Sequence, residues 1–136
     1  MNLTINLLSD TDYDNLLSKW WEDWGMSSVP KDFLPMDGKG GLIVYDGDIP
    51  VCAGFLYLTN SKVALVNWVV SNKQYRGKKN RTMAIQLLLN ALTDSAKLAG
   101  CVWVYTHIKS WQLEHYFEEV GFKKSCEYSS EFIKKI

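Results

Sequence analysis

Histidine is nearly missing from this chain, which has two, and cysteine is little commoner, with three. His107 and His115 together with Cys52, Cys101 and Cys126 offer no zinc-ligand spacing, so no metal is expected. Cys52 and Cys101 fall in strand-like runs, where a free thiol behaves as a small buried hydrophobe. No apolar run approaches the ~20 residues of a membrane-spanning helix. The start MNLTINLLSD has no basic region ahead of its short apolar run, so it does not read as a signal peptide. The expectation is a cytoplasmic protein without membrane partners. GxxxxGK[ST], GxGxxG and GxSxG are all absent, which removes the common nucleotide-binding and serine-hydrolase motifs. No repeat, low-complexity tract or linker interrupts residues 1–136, which read as one domain.

Acids are also missing from one long stretch. Residues 49–93 contain none, while Lys62, Lys73, Arg76, Lys78, Lys79 and Arg81 lie within it. Residues 1–48 carry nine acids against Lys19, Lys31 and Lys39, although the whole chain is neutral. Such segregation suits an anionic ligand on one side and a cationic one on the other. Mutual neutralisation across a packed interface is the alternative.

Leu3, Ile5 and Leu7 alternate as in a strand, and TDYDNLLSKWWEDW continues at helical spacing until Gly25. A Pro- and Gly-rich loop follows, MSSVPKDFLPMDGKGG. GLIVYDG and IPVCAGFLYLTN make a hairpin through Asp46-Gly47-Asp48. Next come a strand VALVNWVV, a basic loop SNKQYRGKKNR, a helix TMAIQLLLNALTDSAKLA, Gly100 and a strand CVWVYTHI. Two strands flanking one amphipathic helix imply parallel pairing with a right-handed crossover. Helix WQLEHYFEEV, capped by Ser110 and stopped by Gly121, precedes a closing antiparallel pair, FKKSCEY and SSEFIKKI. Clustered cations, loop amides and a helix N-terminus at one place form a site for a polyanion, most simply a phosphate.

The order of elements, V-V-S-N-K-Q-Y-R-G-K over residues 69–78 and S-W-Q-L-E-H-Y-F-E-E-V-G-F over residues 110–122 resemble the GNAT superfamily of acyl-CoA-dependent N-acetyltransferases. The resemblance implies an α/β (α+β) fold: a mixed central sheet with antiparallel N-terminal strands, one parallel βαβ unit and helices on both faces. It implies acetyl-CoA as cosubstrate and transfer of an acetyl group to an amine by direct attack on the thioester. Its pyrophosphate would lie on Tyr75, Arg76, Gly77, Lys78, Lys79, Asn80, Arg81 and Thr82. Its thioester arm would lie beside Val69, Val70 and Ser71, between two diverging strands, with Ser110 completing the cofactor-binding set. The chain departs from the pattern at Lys79 and Arg81, which replace glycines, and at Phe117, which replaces a tyrosine acid.

Transfer to an amine needs a base, and His107, Asp46 and Asp48 are the available groups, with Tyr105 and Tyr116 competing as the acid. The plainer reading makes His107 a polar strand-end residue and the tyrosines packed aromatics. Asn67 either orients a substrate or satisfies a bulge in its own strand, the bulge being preferred. Trp20, Trp21 and Trp24 beside Glu22 and Asp23 suit a cationic amine, or serve only as packing groups. Two other functions stay open: nucleic-acid binding or DNA modification, as in phage Mom proteins with a similar fold, and a non-catalytic CoA-binding module. The expected partners are a CoA thioester and an unidentified amine, with nucleic acid and a homodimer left open.

Overall fold

The computed structural model describes residues 1–108, 111–125 and 130–136. Strands β1 (Leu3–Leu7), β2 (Gly41–Asp46), β3 (Ile49–Leu58), β4 (Val63–Ser71) and β5 (Trp103–Tyr105) lie in one sheet in chain order. The first four pair antiparallel, and β4 pairs parallel with β5. The crossover between them is helix α2 (Lys78–Leu98). Gly47, at φ +60, makes the β2–β3 turn. This is the mixed sheet expected from the sequence.

Helices cover both faces. On one, Ile85, Leu88, Leu89 and Leu92 of α2 pack with Val44, Val51 and Val66 of the sheet and with Phe117 of helix α3 (Glu114–Glu119). On the other, a π-helical turn Tyr13–Leu17 and helix α1 (Ser18–Asp23) place Leu17, Trp20 and Trp21 against Ile43, Ala53 and Phe55. Among the described residues no helix is long and apolar enough to cross a membrane.

Three elements differ from the sequence expectation. Helix α2 begins at Lys78, so Lys78, Lys79 and Arg81 belong to its first turn and not to the preceding loop. Gly77 causes this: its φ of +102 turns the chain, and its carbonyl accepts the first helical bond from the Arg81 amide at 2.9 Å. Strand β5 spans only three residues of CVWVYTHI, because the chain leaves β4 after Tyr105. The closing pair is absent from the described residues 122–125 and 130–136, while residues 126–129 lie outside the description.

The β3–β4 ladder carries a bulge. Ala53 pairs with Val70 and Phe55 with Asn67, so Trp68 and Val69 together oppose Gly54. Trp68 takes a φ of +61, a conformation that costs a non-glycine residue about 1 kcal/mol or more. Gly54 accommodates it: a Cβ there would sit 3.0 Å from Val69 Cγ2.

Candidate functional site

β4 and β5 form a fork. They pair at only three positions, Val63 with Trp103, Ala64 with Val104 and Leu65 with Tyr105. Among the described residues β4 then runs on to Ser71 without a parallel neighbour, and an edge of that kind offers backbone groups to an extended chain. Between the prongs lies a cavity of about 170 Å³. Asn67, Trp68 and Val69 of the bulge form one wall, and Thr106, His107 and Ile108 form the other. Leu113 and Phe117 close it on the α2 face, whereas Trp21 and Met26 line it from the α1 face. The fork is therefore a window joining the two faces of the sheet.

The bulge is held rigidly. Trp68 Nε1 donates to Tyr57 Oη at 2.7 Å, and Tyr57 Oη donates to the Phe33 carbonyl at 2.6 Å. Burial pushes the Tyr57 phenol above its ordinary value, with the Trp68 bond opposing. Asn67 Oδ1 is shut off from solvent and accepts no hydrogen bond from the described residues.

Where β4 ends, Asn72 shapes the loop. Its Oδ1 accepts from the Gln74 amide at 3.0 Å, its Nδ2 donates to the Pro50 carbonyl at 2.9 Å, and its carbonyl accepts from the Tyr75 amide at 3.1 Å. Arg81 then gathers the loop from inside, its Nη2 donating to the carbonyls of Asn72, Lys73 and Tyr75. Those carbonyls are committed inward. The first amides of α2 are left without intrahelical acceptors and without a side-chain cap. Arg76, Gly77, Lys78 and Lys79 are exposed around them. Loop residues Lys73 to Gly77 and Arg81 line a shallow depression at this point, as an anion would need.

Of the expected cofactor residues, Tyr75, Arg76, Gly77 and Arg81 line the depression, while Lys78 and Lys79 are exposed next to it in the chain. Tyr75 is buried, with its Oη donating to Asp46 Oδ2 at 2.8 Å and its ring in the core. Burial chiefly, and then Asp46, raises the Tyr75 phenol. Asp46 is itself lowered, first by the Asn2 amide at 2.8 Å and then by Tyr75, so this carboxylate is committed to structure. The Asn80 side chain bonds the same phenol, and Thr82 Oγ1 donates to its own helix at the Lys78 carbonyl. Val69 reaches the cavity, Val70 is buried against the α1 face, and the Ser71 carbonyl accepts from Trp24 Nε1 at 2.8 Å. Ser110 lies outside the described residues.

Of the residues named for chemistry, His107 and Asn67 line the cavity. Tyr105 is 55 % exposed on β5 and does not, nor does Tyr116, which stacks on His115 with ring centroids 3.9 Å apart. Asp48 is exposed in the β2–β3 turn. Phe117 stands in the cavity, so no phenol does among the described lining residues. The tryptophans separate: Trp20 is core, Trp21 is core and cavity wall at once, and Trp24 is spent on Ser71 with Lys73 Nζ 5.2 Å above its ring.

Sequence reasoning passed over Asn72, whose place directly after a strand was an available turn signal. It also passed over Met26, Trp68, Thr106, Ile108, Leu113 and Glu131 as cavity lining. Met26 and Glu131 lie at opposite ends of the chain, and no local pattern joins them.

No protein-family model matches the chain, and no curated protein matches it in sequence. Solved structures do. Glucosamine-6-phosphate N-acetyltransferase from Arabidopsis thaliana superposes with a TM-score of 0.68 at 13% identity, over 98% of this chain and 100% of its own. Ribosomal-protein-S18-alanine N-acetyltransferase from Escherichia coli gives 0.70 at 14%, over 91% of this chain and 79% of its own. N-acetylglutamate synthase from Neisseria gonorrhoeae, complexed with coenzyme A and N-acetyl-glutamate, gives 0.70 at 15%, over 93% of this chain and 29% of its own. The chain has the fold of the GNAT N-acetyltransferases.

Proposed function

We propose that this chain is an acyl-CoA-dependent N-acetyltransferase that moves an acetyl group from acetyl-CoA to an amine. The observation that carries the proposal is the fork: a bulged β4 that opens a cavity beyond its last pairing with β5 and then runs into the loop before a cationic helix start. The diphosphate would sit on the free amides of the first turn of α2, among Arg76, Lys78 and Lys79. Arg81 holds those amides outward by binding the carbonyls behind them. The open edge of β4 beyond Leu65 would take the amides of the thioester arm as another strand would. Acetyl-CoA supplies an activated acyl carbon, which the arm would bring to the cavity at Asn67–Val69.

His107, on the opposite prong, is the group that would take the proton from the attacking amine and return it to the departing sulfur. No lining phenol competes for that role among the described residues. Arg76, Lys78 and Lys79 are exposed within a few residues of one helix start, a span that suits a single diphosphate better than the extended backbone of a nucleic acid.

Calorimetry with acetyl-CoA tests the proposal. One-to-one binding, a rise in Tm and release of free CoA in the presence of an amine are expected. No heat and no thermal shift at millimolar acetyl-CoA would overturn it, and binding without turnover on any amine would leave a CoA-binding module in its place.

A further inference from the structure

Two phenols hold the segment from Val29 to Leu34. Tyr13 Oη donates to the Val29 carbonyl at 2.6 Å, and Tyr57 Oη donates to the Phe33 carbonyl at 2.6 Å. Val29 and Leu34 are buried at the ends of the segment, while Phe33 is exposed between them. The same Tyr57 oxygen accepts from Trp68 Nε1 at 2.7 Å. The Phe33 ring meets the Trp68 indole with centroids 6.4 Å apart and planes at 52°. Tyr57, Phe33 and Trp68 thus close a triangle between β3, the turn Lys31–Phe33 and the bulge of β4.

A non-glycine residue keeps a φ of +61 only where its surroundings over-determine it. The triangle supplies such a constraint at Trp68. Burial, which raises the Tyr57 phenol, keeps its proton available for the Phe33 carbonyl. A bulge leaves its extra residue without a ladder partner. Trp68 and Val69 both oppose Gly54 and both line the cavity, so the aim of their backbone groups depends on how Trp68 is held.

We infer that Tyr57 is a positioning residue for acyl transfer: acting through Trp68, it holds the bulge in the conformation that receives the acetyl group and ties that conformation to the turn at Phe33. The inference rests on the acyl-transfer reading, which puts the acyl carbon at Asn67–Val69. Tyr57 is not among the described lining residues, so its effect passes through Trp68.

Tyr57→Phe keeps the ring and removes the shared oxygen, and Trp68→Phe keeps a ring and removes the indole N–H. Amide NMR spectra with CoA and with acetyl-CoA read the bulge. In the parent, the Trp68 and Val69 amides are expected to shift with acetyl-CoA beyond their shift with CoA, which lacks only the acetyl group. In Tyr57→Phe that difference is expected to vanish, with acetyl-CoA affinity by calorimetry within about twofold of the parent. Release of CoA to hydroxylamine, a small nucleophile standing in for the amine, is expected to fall about tenfold. Trp68→Phe is expected to match it, and the double variant to lose no more than either alone. Parent amides that respond alike to CoA and acetyl-CoA, a difference that survives in Tyr57→Phe, or additive losses in the double variant overturn the inference alone. So does a fall in Tm and affinity with turnover of the bound acetyl-CoA unchanged, which would leave Tyr57 a purely structural role. A parent that binds no acetyl-CoA overturns the acyl-transfer reading and this role together.

Discussion

The two halves of β4 behave as different kinds of strand. Ala64 and Leu65 are paired on both edges, with β3 and with β5, and Ala64 is fully buried. Asn67 to Ser71 keep only the β3 ladder, broken by a bulge and strained at Trp68. A strand satisfied on both edges has nothing left to offer a ligand. A strand that loses one neighbour exposes a row of donors and acceptors, which a fold normally hides because such an edge invites unwanted pairing. Here the edge faces a cavity bounded by α3 and α1, so access is limited to whatever fits between the prongs.

The sharpest way to break that comparison is to push each half equally hard. Gly54→Val places a branched side chain where even a Cβ lies 3.0 Å from Val69 Cγ2, opposite the bulge. Overpacking of this kind costs about 1–3 kcal/mol. The bulge must move, so acetyl-CoA binding by calorimetry should be lost as well as stability. Ala64→Val overpacks the fully buried site in the doubly paired half. It should lower Tm comparably and leave acetyl-CoA affinity within about twofold, since distant sites act nearly independently. Equal loss of affinity in both variants would show that the fork has no special status.

The βαβ unit was legible because its signals are local: period-two and helical apolar spacing, Gly100 as a stop, and Asp46-Gly47 as a hairpin. The cationic start of α2 was legible for the same reason, since cations clustered near a helix start need no tertiary information. The length of β5 was not, because CVWVYTHI is uniformly strand-like and its pairing ends only where β4 and β5 part. Trp20 and Trp21 could not be sorted either. Adjacent helical residues point about 100° apart, and both are buried only because α1 is wedged against the sheet and the loop that follows it. The cavity wall joins residues from α1 to the C-terminal segment, so only the assembled fold brings them together.

Arg81 gives the second test. Charge alone marked it as a phosphate ligand, yet its guanidinium turns back onto three loop carbonyls. Hydrogen bonds from a charged donor are worth about 1.5–3 kcal/mol each and are not additive. Arg81→Gly restores the glycine that the GNAT resemblance would place there. On sequence logic it should improve the cradle. On structural logic it should release the carbonyls, lower Tm and weaken acetyl-CoA by about tenfold or more, an affinity change of about 1.4 kcal/mol. Arg76→Ala, which removes an outward-facing charge, should weaken acetyl-CoA and make its affinity less sensitive to added salt, with little change in Tm.

The smallest effect is expected one step further from the ligand, where Tyr75 ties the loop to Asp46. Asp46 has a lowered folded-state pKa, caused first by the Asn2 amide and then by Tyr75. A lowered value means that the folded state favours the carboxylate. Its contribution to stability is therefore complete above the unfolded value of 3.8 and disappears as pH falls through the folded value. Tyr75→Phe removes one of the two bonds that lower it. The variant should melt slightly below the parent at neutral pH, and the gap should close as pH drops below 3.8, read by thermal melts across an acid series. A gap that persists in acid would place the role of Tyr75 in its ring packing alone. The loop would then depend on the Arg81 clasp and the Asn72 turn, with the strand end at Asp46 a bystander to the proposed anion site.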